Sequence, residues 1–245
     1  MKSIAIINFK TTGPSTDNGD RPFEVGAVIM RKRHVEAHYH SRINTGVLVR
    51  PDILSRHKLT PQAIQQEPTA NSVMQELSSF LEPIPLAAHN AGFHCRFLDA
   101  EWARIGQTRH QDCACSRLLS RRLYANTLDH RLVAMIDALR LSQLTRNPSA
   151  LTDAEMAGYL FTHLVTDLKR RYAFKKVSHA FLCEDSTRFE ATVRSRCAAR
   201  KPSVWVRPLT LWPAETRLRS WLAASHYTYL RKLLNFMKHR LKRAL

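Results

Sequence analysis

Ile4, Ala5, Ile6 and Ile7 form a short, continuous apolar run, partly β-branched, which Thr11, Thr12, Gly13 and Pro14 bring to a stop. This is the pattern of a strand covered on both faces and ended by a turn. A polar loop over 15–21 follows, and 23–30, behind Pro22, reads as a second strand. A third strand is expected over 39–49, the three forming an antiparallel meander. The spacing of apolar positions then lengthens. Thr60 and Pro61 open a short helix, and Thr69 or Asn71 caps a longer one with Val73, Leu77, Phe80 and Leu81 on one stripe, ended by Pro83. A short buried strand is predicted over 84–88, and the next helix turns Phe93, Phe97, Leu98 and Trp102 inward before Gly106 closes it. Two more helices, near 115–124 and 128–139, precede one started by Pro148 and Ser149, with Ala150, Met156, Leu160, Leu164 and Leu168 on its buried side. Strands first and helices between later strands make an α/β sandwich around a mixed sheet.

After residue 171 the pattern changes. Basic clusters (Lys175, Lys176, Arg194, Arg196, Arg200, Lys201) alternate with aromatics, and three prolines between 202 and 213 deny that stretch a long helix. The expected division is 1–171 as a folded domain and 172–245 as a basic C-terminal region. Its end, 215–245, reads as a basic amphipathic helix, with Leu218, Leu222, Leu230, Leu233, Met237 and Leu241 at helical spacing. Arg231, Lys232, Lys238, Arg240, Lys242 and Arg243 surround that stripe. The whole chain carries a formal charge of +18, and 165–245 holds 19 Lys and Arg against 5 Asp and Glu. Such an excess favours nucleic acid first and acidic membrane surface second. Neither a membrane span nor a signal peptide is legible, so a cytoplasmic protein is expected. Five cysteines without repeated C-x-x-C pairs argue for reduced thiols, and Cys113, Cys115 and His110 lack a fourth ligand for zinc.

The first strand carries two odd residues, Asn8 and Lys10, on one face near its end, where α/β proteins place their chemistry. With them belong five collinear blocks: INFKTTGPSTDNGDRPFEVGAV, AHNAGFHCRFLDAEWARIG, CSRLLSRRLY, LDHRLVAMIDALRL and ALTDAEMAGYLF. Their order and spacing resemble the DnaQ-like, DEDD 3'-5' exonucleases of the ribonuclease H-like fold, similar to the proofreading ε subunit of DNA polymerase III. The resemblance covers residues 1 to about 170 and implies a mixed five-stranded sheet flanked by helices.

It also implies two divalent metals, Mg²⁺ or Mn²⁺, held by several carboxylates, with a histidine base. Here the corresponding positions are Asn8, Lys10, His94, Pro148 and Asp153, of which only Asp153 keeps the family's residue type, and the tyrosine variant would need its phenol at Ser149. The four substitutions predict a vestigial cleft with no metal and no cofactor. Lys10 then either substitutes for a cation beside Asp153 or faces solvent, and His94 is either a hydrogen-bonded pocket residue or a transition-metal ligand with Asp153 and His89. Thr11 and Thr12 lie where the resemblance puts the 3'-terminal nucleotide. The expected function is a non-catalytic protein that binds DNA or RNA through its basic residues, scaffolds a nucleic-acid-processing complex, or both, docking a protein partner through the final helix. The alternative is an active 3'-5' exonuclease or exoribonuclease that needs Mg or Mn in a site rebuilt from Asp17, Asp20, Glu24, Asp99 or Glu101.

Overall fold

The computed structural model describes residues 3–141, 149–184 and 186–198. A mixed five-stranded sheet runs in the order β3-β2-β1-β4-β5, built from β1 (Ile4–Thr11), β2 (Pro22–Arg31), β3 (His34–Arg42), β4 (Leu86–Ala88) and β5 (Cys113–Cys115). The meander β1–β3 is antiparallel, and β4 and β5 add on parallel to β1. Helices α1 (Pro51–His57), α2 (Pro61–Gln65), α3 (Ala70–Leu81), α4 (Ala91–Arg104), α5 (Ser116–Leu123), α6 (Leu132–Ala138), α7 (Ala150–Tyr172), α8 (His179–Cys183) and α9 (Ser186–Ala198) flank it. Alternation along β1 divides the core. Ile4 and Ile6 face α7, whereas Ala5, Ile7 and Phe9 pack with α3 and α4. This is the ribonuclease H-like sandwich. Among the described residues no helix is long and apolar enough to cross a membrane.

Three elements differ from the sequence expectation. The third strand starts at His34, not 39, because a two-residue turn, Lys32-Arg33, joins β2 to β3 directly. Its alternating exposed and half-buried residues mark an edge strand. Ile43 and Val49, included in the expected strand over 39–49, lie beyond it; Val49 packs with Phe23, Ile53, Leu54 and Ile64 in a small separate core. Helix α1, which has Pro51 at its first position, was not foreseen, nor was the three-residue β5. Thr60, Thr69 and Ser149 cap α2, α3 and α7 through their side-chain oxygens.

The first compact unit of the chain is Met1–Ala199. The change in composition at 172 falls inside the first. Phe174, Val177, Phe181, Leu182 and Phe189 join the core under α7, and Phe189 stacks on Phe181 at 4.9 Å beneath the Arg122 guanidinium. The expected basic helix over 215–245 lies outside the described residues.

Candidate functional site

The end of β1 meets the first turns of α4 and α7. Asn90 adopts φ 75°, a left-handed conformation asparagine tolerates, and turns the chain from β4 into α4, placing His94 in the first turn. Two features seat α7. Gly26, opposite Asn8 on β2, leaves no room for a side chain, since a Cβ there would lie 2.2–2.4 Å from the backbone of Ala150 and Leu151. Glu24 Oε1 accepts the Ala150 N–H at 2.8 Å, satisfying one of the helix's open amides, and also bonds His40 Nε2 at 2.9 Å. Burial alone would raise the Glu24 pKa, but these two bonds outweigh it and hold the carboxyl below its ordinary value. Asp153, one turn into α7, thereby comes to stand over β1.

Lys10 Nζ donates to Asp153 Oδ2 at 2.6 Å, with the two side chains 18% and 24% exposed. The ammonium is turned inward and paired, which decides between the two orientations open to it from sequence. Beside this pair, Phe9 N–H donates to His94 Nδ1 at 3.1 Å. Burial, reinforced by the charges of His89 and Lys10, lowers the His94 pKa to about 3, so the ring is neutral. With Nδ1 accepting, the proton sits on Nε2, which lies 3.5 Å from Asn8 Nδ2. Two donors then face each other while the buried Asn8 Oδ1 has no partner. Exchanging the amide's oxygen and nitrogen turns the facing donors into a donor and an acceptor, and we assign Nε2–H of His94 as donating to Asn8 Oδ1. His94 is a hydrogen-bonded pocket residue tying α4 to β1.

Asn8, Lys10, His94 and Asp153 therefore come together, while Pro148 lies outside the described residues. Ser149 Oγ is engaged as the α7 cap. Both ring nitrogens of His89 are taken, Nδ1 by Ser116 Oγ at 3.0 Å and Nε2 by the His130 carbonyl at 2.9 Å. Thr11 and Thr12 bond within their own loop: Thr11 Oγ1 donates to the Gly13 carbonyl, and Thr12 Oγ1 donates to Asp20 and accepts from Arg21 N–H. Four acids of the rebuilt-site alternative have structural partners. Glu101 is gripped by Arg21 through two bonds of 2.6 and 2.9 Å, Asp99 by Arg109, Asp20 by Thr12 and Ser15, and Glu24 by α7 and His40. The brace between Arg21 and Glu101, which locks the loop after β1 onto α4, was not read from sequence. Residues 80 apart carry no local signal of such a pair.

The metals implied by the family resemblance do not fit this donor set. Hard divalent cations take oxygen ligands, and a two-metal site needs several carboxylates. The cleft offers one carboxylate already held by an ammonium, one amide and one neutral imidazole with both nitrogens engaged. Among the described residues no group of three His, Cys, Asp or Glu converges to hold a metal, the Cys113, Cys115 and His110 corner included.

Of the basic residues singled out in the sequence, Lys175 and Lys176 lie exposed between α7 and α8, and Arg194 on α9 pairs with Glu190 at 3.2 Å. Arg196 falls within α9, its side chain outside the description. Arg200, Lys201, Arg231, Lys232, Lys238, Arg240, Lys242 and Arg243 lie outside the described residues.

The Exonuclease family model, RNase_T, matches residues 6–161. The chain is 29% identical over 164 residues to the DNA polymerase III subunit epsilon of Pasteurella multocida, covering 62% of this chain and 63% of that protein. It is 22% identical over 166 residues to the PolC-type DNA polymerase III of Caldanaerobacter subterraneus, covering 68% of this chain but 12% of the relative. Among solved structures, exonuclease X in complex with 5' overhanging duplex DNA superposes with a TM-score of 0.55 at 18% identity, covering 66% of this chain and 91% of that one. The nuclease domain of 3'hExo, a DEDDh family member bound to rAMP, gives 0.57 at 13% identity, covering 68% and 92%. With the family model spanning well over half of its length, the chain belongs to the exonuclease family of the DEDD, DnaQ-like type.

Proposed function

We propose that this chain is a non-cutting member of its family, which binds nucleic acid and scaffolds a nucleic-acid-processing complex. The observation that carries this is the 2.6 Å pair between Lys10 and Asp153. A cation built into the chain neutralises the one family carboxylate that survives, and it does so without the charge and open coordination positions with which a metal generates a nucleophile. The hydrogen bond between His94 and Asn8 closes the same space from the α4 side. The cleft keeps its packing and loses its reagents. Thr11 and Thr12 shape its rim and would meet a strand end through the turn they stabilise rather than through free hydroxyls.

Affinity in this proposal comes from the basic residues. The segment 200–245 has 11 Lys and Arg against a single acid, and Lys175, Lys176, Arg194 and Arg196 add further basic residues before it in the chain. Phosphate contacts of this kind are sequence-independent and strongly salt-dependent. The amphipathic stripe in 215–245 suits a groove on a protein partner. The test offers 3'-labelled single-stranded DNA and RNA to the purified chain with Mg²⁺ or Mn²⁺. Salt-dependent binding without shortening of the strand is expected. Trimming from the 3' end that survives repurification and vanishes in Asp153→Ala overturns the proposal and establishes a nuclease with a rearranged site.

A further inference from the structure

At the end of the sheet opposite the cleft, the start of β1, the turn between β2 and β3 and the second half of α7 enclose a pocket of about 240 Å³. The buried side chains of Ile4, Met30, Phe161 and Val165 form its apolar floor, Thr162 and Thr166 share the wall, and Lys32, Arg33 and Lys169 stand around it. The acids closest to these cations in sequence are engaged elsewhere. Glu36 pairs with Arg31, and Asp167 with Arg170, Arg171 and the Tyr124 hydroxyl. Among the described residues, Lys32, Arg33 and Lys169 form no ion pair. Three cations with no acidic partner among the described residues, beside an apolar floor, attract an anion with an apolar body.

The turn supports the same conclusion. Lys32 has φ 57° at the first position of a two-residue hairpin loop, where glycine or asparagine is the usual choice. A lysine there is strained, and strain of this sort collects at functional positions. Opposite the turn, α7 lies close on the sheet, and a Cβ on Gly158 would meet the Met30 side chain at 2.8 Å.

We propose that this pocket binds a nucleotide phosphate, with the phosphate between Lys32, Arg33 and Lys169 and the sugar and base against the apolar lining. A phosphate monoester carries about −1.5 to −2 near neutral pH, which suits three cations better than a single carboxylate does. The pocket lies below the roughly 300–1,000 Å³ usual for drug-sized ligands, which limits the occupant to about one nucleotide unit. Lys10 lies six positions along β1 from Ile4, about 20 Å at the usual strand rise. The site is distinct from the cleft and stands whether or not the cleft cuts.

The test titrates adenosine 5'-monophosphate, adenosine and inorganic phosphate into the full-length chain by calorimetry. Saturable binding of the monophosphate below 1 mM is expected by the proposal, about an order of magnitude tighter than adenosine, with inorganic phosphate competing. Lys32→Gly and Lys169→Glu should each weaken it about tenfold, whereas Lys10→Met leaves it unchanged. Lys32→Gly also relaxes the backbone, so its melting temperature should not fall, which separates loss of the site from loss of the fold. A 5'-phosphorylated decanucleotide distinguishes the sources. If its affinity also falls in Lys169→Glu, the pocket takes a unit of a strand; if only the mononucleotide is affected, the ligand is free nucleotide. No saturable binding at 5 mM, or binding insensitive to both pocket variants, overturns the proposal.

Discussion

The two ends of β1 and α7 treat positive charge in opposite ways. At the cleft Lys10 is matched by Asp153, Arg21 is gripped by Glu101, and His94 is held neutral. At the far end Lys32, Arg33 and Lys169 stand without acidic partners among the described residues around an apolar pocket. The same two elements run through both sites, so the difference lies in what each cation meets across the sheet. A formal charge of +18 thus says that an anion is welcome and nothing about where. Pairing decides that, because a matched, half-buried ion pair presents little field to a ligand while unmatched cations present all of theirs.

The contrast breaks most severely if α7 is lifted from the sheet, since both sites depend on it. Gly26→Ala inserts a methyl into the backbone of Ala150 and Leu151 and should cost about 3 kcal/mol, read from urea denaturation, with the anion pocket weakened alongside. Next comes acid. Burial foremost lowers His94 to about 3 and His89 to about 4. The unfolded chain protonates both rings below about 6.5, so their contribution is complete above that pH and is lost as pH falls toward 3 to 4. His94→Gln should remove about 1.4 kcal/mol per pH unit from the slope of stability between pH 6 and 4.

Asp153→Ala leaves the Lys10 ammonium unpaired in a partly exposed position. A loss of about 1–2 kcal/mol is expected, and Lys10→Met in the same background should recover most of it, as a double-mutant cycle will show. The smallest effect belongs to Arg194, on an exposed helix face beside Glu190. Arg194→Ala should change stability by less than about 0.5 kcal/mol. It should lower the salt slope of nucleic-acid binding by at most the roughly 0.7–0.9 of a single phosphate contact.

What was legible in the chain were the features that local chemistry dictates. The apolar run after Ser3 is β1, the serine before Ala150 caps α7, and threonines at 60 and 69 cap the helices they precede. Where the outcome depended on distant partners, sequence left it open. Nothing near Lys10 shows that it meets a residue 143 positions away, or that His94 accepts a bond from the Phe9 backbone 85 positions earlier. The edge strand was misplaced because Ile43 and Val49 are as apolar as strand residues, although beyond β3 they serve two separate packing clusters, Ile43 with α3 and Val49 under α1 and α2. Gly26 looked like an ordinary strand residue until the backbone of α7 was set against it. The far pocket was invisible for the same reason: its three cations come from a hairpin turn and a helix end more than 130 residues later.

The central claim, that the cleft has exchanged its metals for an internal ion pair, is tested most directly by titrating Mn²⁺ into the full-length chain and into Asp153→Asn. The account predicts that the two curves coincide, with no saturable site below 1 mM attributable to Asp153, the range in which weak sites lie. A micromolar Mn²⁺ site in the wild-type chain that disappears in Asp153→Asn would contradict it.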